Sequence, residues 1–429
     1  MKKTMFVALV AVAVCAVNCT KEEIEDMQRS ENNIGDKVLL EEAANKARTF
    51  IQNFAVKTRG ISSNCYVSSV YTLRKSYYYS IARGGIVENN LPDTLAYIVN
   101  FSDDEGFVIV SADKRVEEII AYIDKGSFTP MDNVEGTGFS MFLHDLPNYI
   151  NYVINLDDSL QNSKEIITRG DLGPGGGGLT PGGGGLEGPT IIDSLFPPLL
   201  KTKWGQGTPY NMLCPIREGN RAPTGCMATS LAQIMSYYKW PVICEYVDFG
   251  WDEMQTDSAA PSSYNAKYYI AELMLHIGHH LNMVYKNNVS ESHTADVGLC
   301  LDTMNYSHTT YLPYNFFQVK DNIIANRPVH IDGADYANPD TTYAHAWVID
   351  GGMVRSVHLV DEHNVVVGRT HISRYVHCNW GSNGSFDGYF LSGVFDPNQR
   401  KYVSSVTRAN YSTNNAVYYD IIPDSLQNP

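Results

Sequence analysis

Leu39, Leu40, Ala43, Ala44, Ala47, Phe50, Ile51 and Phe54 recur at helical spacing and predict an amphipathic helix over Asp36–Ala55. Downstream the period shortens. Leu95–Phe101 and Phe107–Ser111 are β-prone runs on either side of Asp103-Asp-Glu-Gly106, the pattern of a hairpin with glycine at its turn. Tyr66–Leu73 and Tyr77–Ile81 read as further strands, and Phe139–Leu156 as a second helix interrupted by Pro147. These elements predict a small α+β domain over residues 20–168, with no catalytic constellation of its own.

After Thr168 the alternation disappears. Gly173-Pro-Gly-Gly-Gly-Gly-Leu179 is echoed by Thr180-Pro-Gly-Gly-Gly-Gly-Leu186, a composition that buries too little apolar surface to offset its chain entropy. A flexible Gly/Pro-rich linker over 169–200 is expected. No Gly-Lys-Ser or Gly-Lys-Thr follows and no strand leads in, which excludes a phosphate-cradling loop. Arg169-Gly170 before the tract, and Lys201 or Lys203 after it, are candidate processing positions, placing a cut between Thr168 and Lys203.

Periodicity then returns and defines a second domain over 201–429. Met227, Ala228, Leu231, Ile234, Met235 and Tyr238 share one helical face, and Lys267–Val284 is helix-like. Tyr343–Gly352 and Arg374–Gly381 are apolar, β-prone runs, the second leading into a Gly-rich turn. At the other end of the chain, Met5–Val14 behind Lys2 and Lys3 is too short to span a bilayer but suits a secretory signal, so residues 1–19 read as a signal peptide. Cys19, followed by Thr20-Lys21-Glu22-Glu23, is similar to the lipid-modified residue of bacterial surface lipoproteins; cleavage by an ordinary signal peptidase is the alternative.

Composition narrows the class. A chain of 429 residues with 44% hydrophobic positions exceeds one core, and a net charge of -15 disfavours nucleic acid or an anionic membrane surface as partner. The 28 tyrosines against 15 phenylalanines suit solvated sheets and wet clefts. Beyond the signal segment stand Cys65, Cys214, Cys226, Cys244, Cys300 and Cys378, without a Cys-x-x-Cys pair. Five lie in the second domain, so at least one of them stays free if pairing is confined to that domain.

Cys226 is the cysteine with chemistry around it. Pro223, Thr224 and Gly225 form a turn ahead of the helix that Cys226 opens, where unpaired amides and the helix dipole favour a thiolate. His345 at the start of a strand supplies a base. Asn379 is the candidate to orient it, Trp380 to shield that hydrogen bond, and Gln206 to donate to an oxyanion. Asp332, Asp335 and Asp350 are alternative orienters, and His377 is the rival base. His276-Ile-Gly-His279-His280 lacks the glutamate and third ligand of a zinc site, and no metal or organic cofactor is implied.

The pieces Trp204-Gly-Gln206, Pro209-Tyr-Asn211, Thr224-Gly-Cys-Met-Ala-Thr229 with Gln233-Ile-Met235, His345-Ala-Trp-Val-Ile-Asp-Gly351, and Asn379-Trp-Gly381 with Asp387-Gly-Tyr-Phe390 together resemble the streptopain family of bacterial cysteine proteases. The resemblance covers about Leu200 to Phe395 and implies a papain-like α+β core of two lobes, one helical and one of antiparallel strands. It implies Cys226 as nucleophile, His345 as general base and acid, Asn379 as orienter, Trp380 as shield and Gln206 as oxyanion donor. Gly106-Phe-Val-Ile-Val-Ser-Ala-Asp113 resembles the family's prodomain, a folding aid and inhibitor; a permanent spacer or binding domain is the alternative. The pattern departs after Gly381, where Ser382-Asn383-Gly384 replaces the usual tryptophan and two glycines.

The expected activity is that of a secreted or surface-anchored endopeptidase made as a zymogen. Its partners are protein or peptide substrates, its own prodomain as inhibitor, and a membrane only through a lipid on Cys19. A catalytically silent adhesin or inhibitor with the same fold, and acyl transfer to an amine by the same dyad, are the competing expectations.

Overall fold

A computed structural model of the chain describes residues 36–58, 66–77, 91–162, 186–244, 247–255, 261, 263–335, 343–361, 363, 365–396 and 415–426. The signal segment, Cys19 and Cys65 therefore lie outside the described residues. Val38–Pro429 forms one compact unit. The first apolar stripe becomes helix α1 (Leu40–Thr58), which buries Ala43, Ala44, Ala47, Phe50, Ile51 and Phe54. Glu41 and Glu42 in its first turn suit the positive end of the helix, while Leu39 and Leu40 stay exposed.

Strands β1 (Val67–Arg74), β2 (Thr94–Phe101), β3 (Phe107–Ser111) and β4 (Ile119–Ile123) pair antiparallel in sequence order. The β2–β3 turn is the expected one, with Asp103, Asp104 and Gly106 at positive φ. Tyr77 closes a short helical turn instead of opening a strand, and 78–81 lie outside the described residues. Helix α2 (Gly138–Asn162) runs through Pro147, which was expected to interrupt it. A proline forfeits one helix hydrogen bond, and the burial of Phe139, Phe142, Leu143, Leu146, Tyr149, Ile150 and Ile154 along the same helix outweighs that loss.

Of the linker expected over 169–200, residues 169–185 lie outside the described residues. From Leu186 the chain is strand β5 (Leu186–Phe196), where Ile191, Ile192, Leu195 and Phe196 supply the strand-forming side chains that the glycine runs lack. Helices α3 (Cys226–Tyr238), α4 (Tyr264–His280) and α5 (Thr294–Thr303) follow. They share a core that includes Leu231, Ile234, Met235, Ile270, Met274 and Leu301. Strands β6 (Val329–Asp335), β7 (Tyr343–Val360), β8 (Val366–Asn379), β9 (Gly388–Leu391) and β10 (Ala416–Tyr418) build the other half. The architecture is α+β, a helical lobe against an antiparallel β lobe.

One sheet runs through both expected domains in the order β1-β2-β3-β4-β9-β8-β7-β6-β10, with Leu312–Pro313 beyond β10. The long strand β7 has β8 on one edge; its other edge is shared by β6, from Tyr343 to Ile349, and β5, from Gly352 to Val360. At the seam between the halves Gly388, Tyr389 and Phe390 of β9 face Ile123, Tyr122 and Ala121 of β4. Gly388 is required there, since a Cβ would stand 2.2 Å from the Tyr122 carbonyl oxygen.

Aromatic rings fill the seam. Phe54 packs edge-on to both Tyr122 and Tyr389, and Phe139 stacks on Phe386 with centroids 4.6 Å apart. Phe139 is fully buried between the N-terminal part and the turn after Trp380. Phe139→Ala should cost about 3–5 kcal/mol of stability, read as a lower denaturant midpoint for the whole chain.

Candidate active site

Cys226 opens α3 directly after Gly225, which has no side chain to occupy the first-turn amides. Burial pushes the Cys226 thiol up, the backbone N–H groups of Ala346, Met227 and Cys226 itself pull it back, and the Asp332 carboxylate adds to the upward shift. The N–H of Ala346 comes from β7, where the preceding residue is His345. The helix start and the strand of the base therefore meet at the sulfur.

The His345 imidazole is buried, which lowers its pKa below the usual histidine value. Its Nε2 donates to the Trp380 carbonyl at 2.9 Å, and that bond partly restores the proton affinity. The carbonyl can only accept, so Nε2 carries the proton and Nδ1 is left as the basic nitrogen of the neutral ring. Asn379, expected to orient the ring, is not its partner in this arrangement. Its Oδ1 accepts from Gln233 Nε2 at 2.9 Å and from the Gly381 N–H at 3.1 Å, while its Nδ2 donates to the Thr202 carbonyl at 2.9 Å.

Trp380 is fully buried, with its indole N–H donating to the Phe386 carbonyl at 2.9 Å and its backbone N–H to Asp387 Oδ1 at 2.9 Å. Its ring lies 5.1 Å from that of Trp347. Burial raises the Asp387 carboxyl to about 7 despite that bond. Gln206 sits half-buried in the loop before Cys226, and its carbonyl accepts from the Thr224 N–H at 3.0 Å, fixing the loop beside the turn that precedes the thiol.

Gln233 was not singled out for a role, yet it ties the constellation together. Its Oε1 accepts from the Trp204 N–H at 3.1 Å, so one buried amide holds both the segment leading to Gln206 and the Asn379 side chain. The signal was present: position 233 is seven residues after Cys226, hence on the same helix face as the thiol and opposite the apolar stripe.

The N-terminal half also reaches the site. Gly138, the first residue of α2, lies against it so closely that a Cβ would come 2.1 Å from Trp380 Cε3 and 2.7 Å from His345 Cδ2. Its glycine is a packing requirement.

The rival groups are engaged elsewhere. His377 Nδ1 lies 2.6 Å from Asp350 Oδ1, and its Nε2 lies 3.5 Å from Asp124 Oδ2 at the end of β4. Asp350 also accepts from the Leu200 N–H at 3.1 Å. Burial opposes charge on His377, but Asp350 and Asp124 outweigh it and raise its pKa to about 10. Asp332 accepts from the Thr294 hydroxyl at 2.7 Å. Cys214, Cys226 and Cys378 are free thiols.

This arrangement has known counterparts. Residues 204–390 match the Peptidase C10 family, and residues 35–150 match the family described as Spi protease inhibitor. Over residues 204–390 the chain carries the Peptidase C10 pattern. It is 24% identical over 426 residues to the thiol protease/hemagglutinin PrtT of Porphyromonas gingivalis, covering 90% of this chain but only 42% of that protein. It is 25% identical over 403 residues to streptopain of Streptococcus pyogenes, covering 83% of this chain and 85% of streptopain. Among solved structures, a fragment of prointerpain A from Prevotella intermedia aligns with a TM-score of 0.48 at 20% identity, over 76% of this chain and 95% of the fragment. Active interpain A aligns with a TM-score of 0.38 at 23% identity, over 53% and 95%. The streptopain-family expectation is thus met over residues 204–390, and the inhibitor match falls on the part of the chain that carries Gly138.

The seam has a definite pH signature. His377 keeps its proton to about pH 10 in the folded chain against 6.5 when unperturbed, so its contribution to stability is complete below about 6.5 and lost as pH rises to 10. Asp387, held protonated to about 7 against 3.8, acts in the same sense at lower pH. The denaturant midpoint should fall between pH 6.5 and 10, and His377→Gln should remove most of that fall; an unchanged slope in the variant would contradict the assignment.

Proposed function

We propose that the chain is the latent form of an exported cysteine endopeptidase that hydrolyses peptide bonds through Cys226 and His345. The observation that carries the reading is the meeting of the α3 start with β7, where the Cys226 sulfur faces the N–H of the residue after His345. His345 takes the thiol proton, and the thiolate adds to the peptide carbonyl. The Cys226 N–H and the Gln206 side chain hold the oxyanion. His345 then delivers the proton to the leaving amine as the carbon–nitrogen bond breaks, and water, deprotonated by the same ring, releases the acyl group from sulfur.

Latency follows from the same residues. While Gly138 lies over the imidazole, Nε2 is committed to the Trp380 carbonyl. Departure of α2 frees the ring to turn toward the Cys226 thiol and the Asn379 amide, with Trp380 covering the bond. The N-terminal domain is thus the chain's own inhibitor, and a cut between Thr168 and Lys203 separates it from the protease. Within that interval the β5 backbone is engaged with β7, which favours the ends of the interval over its middle. Substrates are proteins or peptides, with no nucleic acid as partner. Export follows the N-terminal signal, with Cys19 as the lipid-bearing residue of a surface-anchored form.

Expression of the chain after Cys19, as wild type and as Cys226→Ala, tests both halves of the reading. Wild type should shorten by about a domain and then cleave peptides. Cys226→Ala should keep full mass, with hydrolysis lowered on the order of 10⁴-fold or more. Gly138→Ala, which pushes α2 off the imidazole, should shorten sooner than wild type. Self-shortening by Cys226→Ala alone would sink the proposal.

A further inference from the structure

Beneath the Cys226 thiol lies a pair of ionisable groups that the proposed chemistry does not use. His330 and Asp332 are two residues apart on β6, so both point to the same face of the sheet. Asp332 stands opposite Ala346 on β7, the residue whose N–H faces the sulfur. His330 is fully buried, and Asp332 is 6% exposed. Each keeps one polar atom without a hydrogen bond: His330 Nε2 and Asp332 Oδ2, which face each other at 3.6 Å.

The hydrogen bonds around the pair admit the following arrangement of protons. The Ser230 hydroxyl donates to the Met227 carbonyl at 3.1 Å, which uses its only proton. In that arrangement its contact with His330 Nδ1 at 2.7 Å runs from the ring, with a proton on Nδ1. Asp332 Oδ1 accepts from the Thr294 hydroxyl at 2.7 Å, leaving Oδ2 aimed at Nε2. A bare ring nitrogen facing a bare carboxylate oxygen in a buried site is repulsive. A proton on Nε2 turns the contact into an ion pair.

We propose that His330 and Asp332 are a positioning pair for the Cys226 thiol, an imidazolium and a carboxylate whose mutual compensation keeps uncompensated negative charge away from the sulfur. The inference rests on Cys226 being the reactive thiol. Its physical argument is one of cost. A buried ion pair too long for a hydrogen bond stabilises a fold poorly, and two apolar side chains of similar size would serve the core as well. What such a pair controls is local charge, and the group beside it is the thiol, which the Asp332 carboxylate pushes toward its neutral form. Other titratable groups near the pair are Tyr418 on β10, whose ring lies 6.0 Å from that of His330, with His308 5.5 Å from Tyr418. Asp296 acts on Tyr418 from α5, and His345 stands opposite Gly333 in the next register position of β7.

The test is the pH dependence of Cys226 labelling by iodoacetamide in the full chain, read by peptide mass between about pH 5 and 9. Asp332→Asn keeps the size of the side chain and its bond from Thr294 but removes the charge. It should move the labelling midpoint down by on the order of one pH unit, with about tenfold faster labelling on the acid side. His330→Gln strands the carboxylate and should move the midpoint up by a similar amount. The double variant should return toward wild type. Shifts in the same direction, or no shift in Asp332→Asn, would overturn the proposal. If His330→Gln does not fold, judged by circular dichroism, the Asp332→Asn shift decides alone. Labelling needs no turnover, so absence of peptide hydrolysis and absence of these shifts are separate results.

Discussion

The main-chain pairing of β4 with β9 is the constraint from which the rest of the molecule takes its arrangement. Three residue pairs join the half that matches the inhibitor family to the half that matches the Peptidase C10 family as neighbours in one sheet. A strand pair fixes register as well as proximity, because a slip of one residue would turn Tyr389 and Phe390 to opposite faces. With that register set, Phe54 and Phe139 find their aromatic partners across the seam, and α2 begins where its first residue touches both His345 and Trp380. The approach of α2 to the imidazole is therefore set by backbone geometry, and the absence of a side chain at position 138 is what lets the helix start come that near.

Behind the reactive groups lies a second layer made of amides and buried charges. Gln233 binds the Asn379 side chain and the Trp204 backbone, and Asp350 binds His377 and the backbone at Leu200. Each joins the strand that carries the site to the segment that leads toward Gln206. Such polar networks are costly when half-satisfied and rigid when complete, which holds the loop of Gln206 in a fixed position. The pair of charges below Cys226 belongs to the same layer but faces the thiol.

Local pattern made much of this legible. The stripe of α1, the β2–β3 hairpin, the face of α3 and the β-prone runs around His345 and Asn379 all appear where periodicity and turn residues put them. So do the place of Cys226 at a helix start and that of His345 on a strand, both local properties. What escaped depends on partners far along the chain. Helix α2 survives Pro147 because its apolar face is buried against residues that no window of sequence contains. Strand β5 hides behind glycine runs whose composition dominates the reading of that stretch, and it exists because β7 is long enough to leave an edge open beyond β6. The bond from His345 to the Trp380 carbonyl was not foreseeable from residue types, since a main-chain acceptor leaves no mark in the sequence.

Strand β5 also makes the two borders of the catalytic sheet unequal. Along β7 the border is stitched by a ladder of main-chain bonds and by Asp193, which accepts from the Ser356 hydroxyl at 2.6 Å and lies 3.0 Å from His358 Nε2. A chain cut ahead of Leu186 would leave that stitching whole, with the new terminus anchored in the sheet. On the other side, loss of β4 would strip β9 of its neighbour and leave a short row of open amides and carbonyls next to Tyr389 and Phe390. The same scission would thus preserve one flank of the sheet and uncover the other, giving the freed C-terminal part an adhesive border that the uncut chain keeps covered.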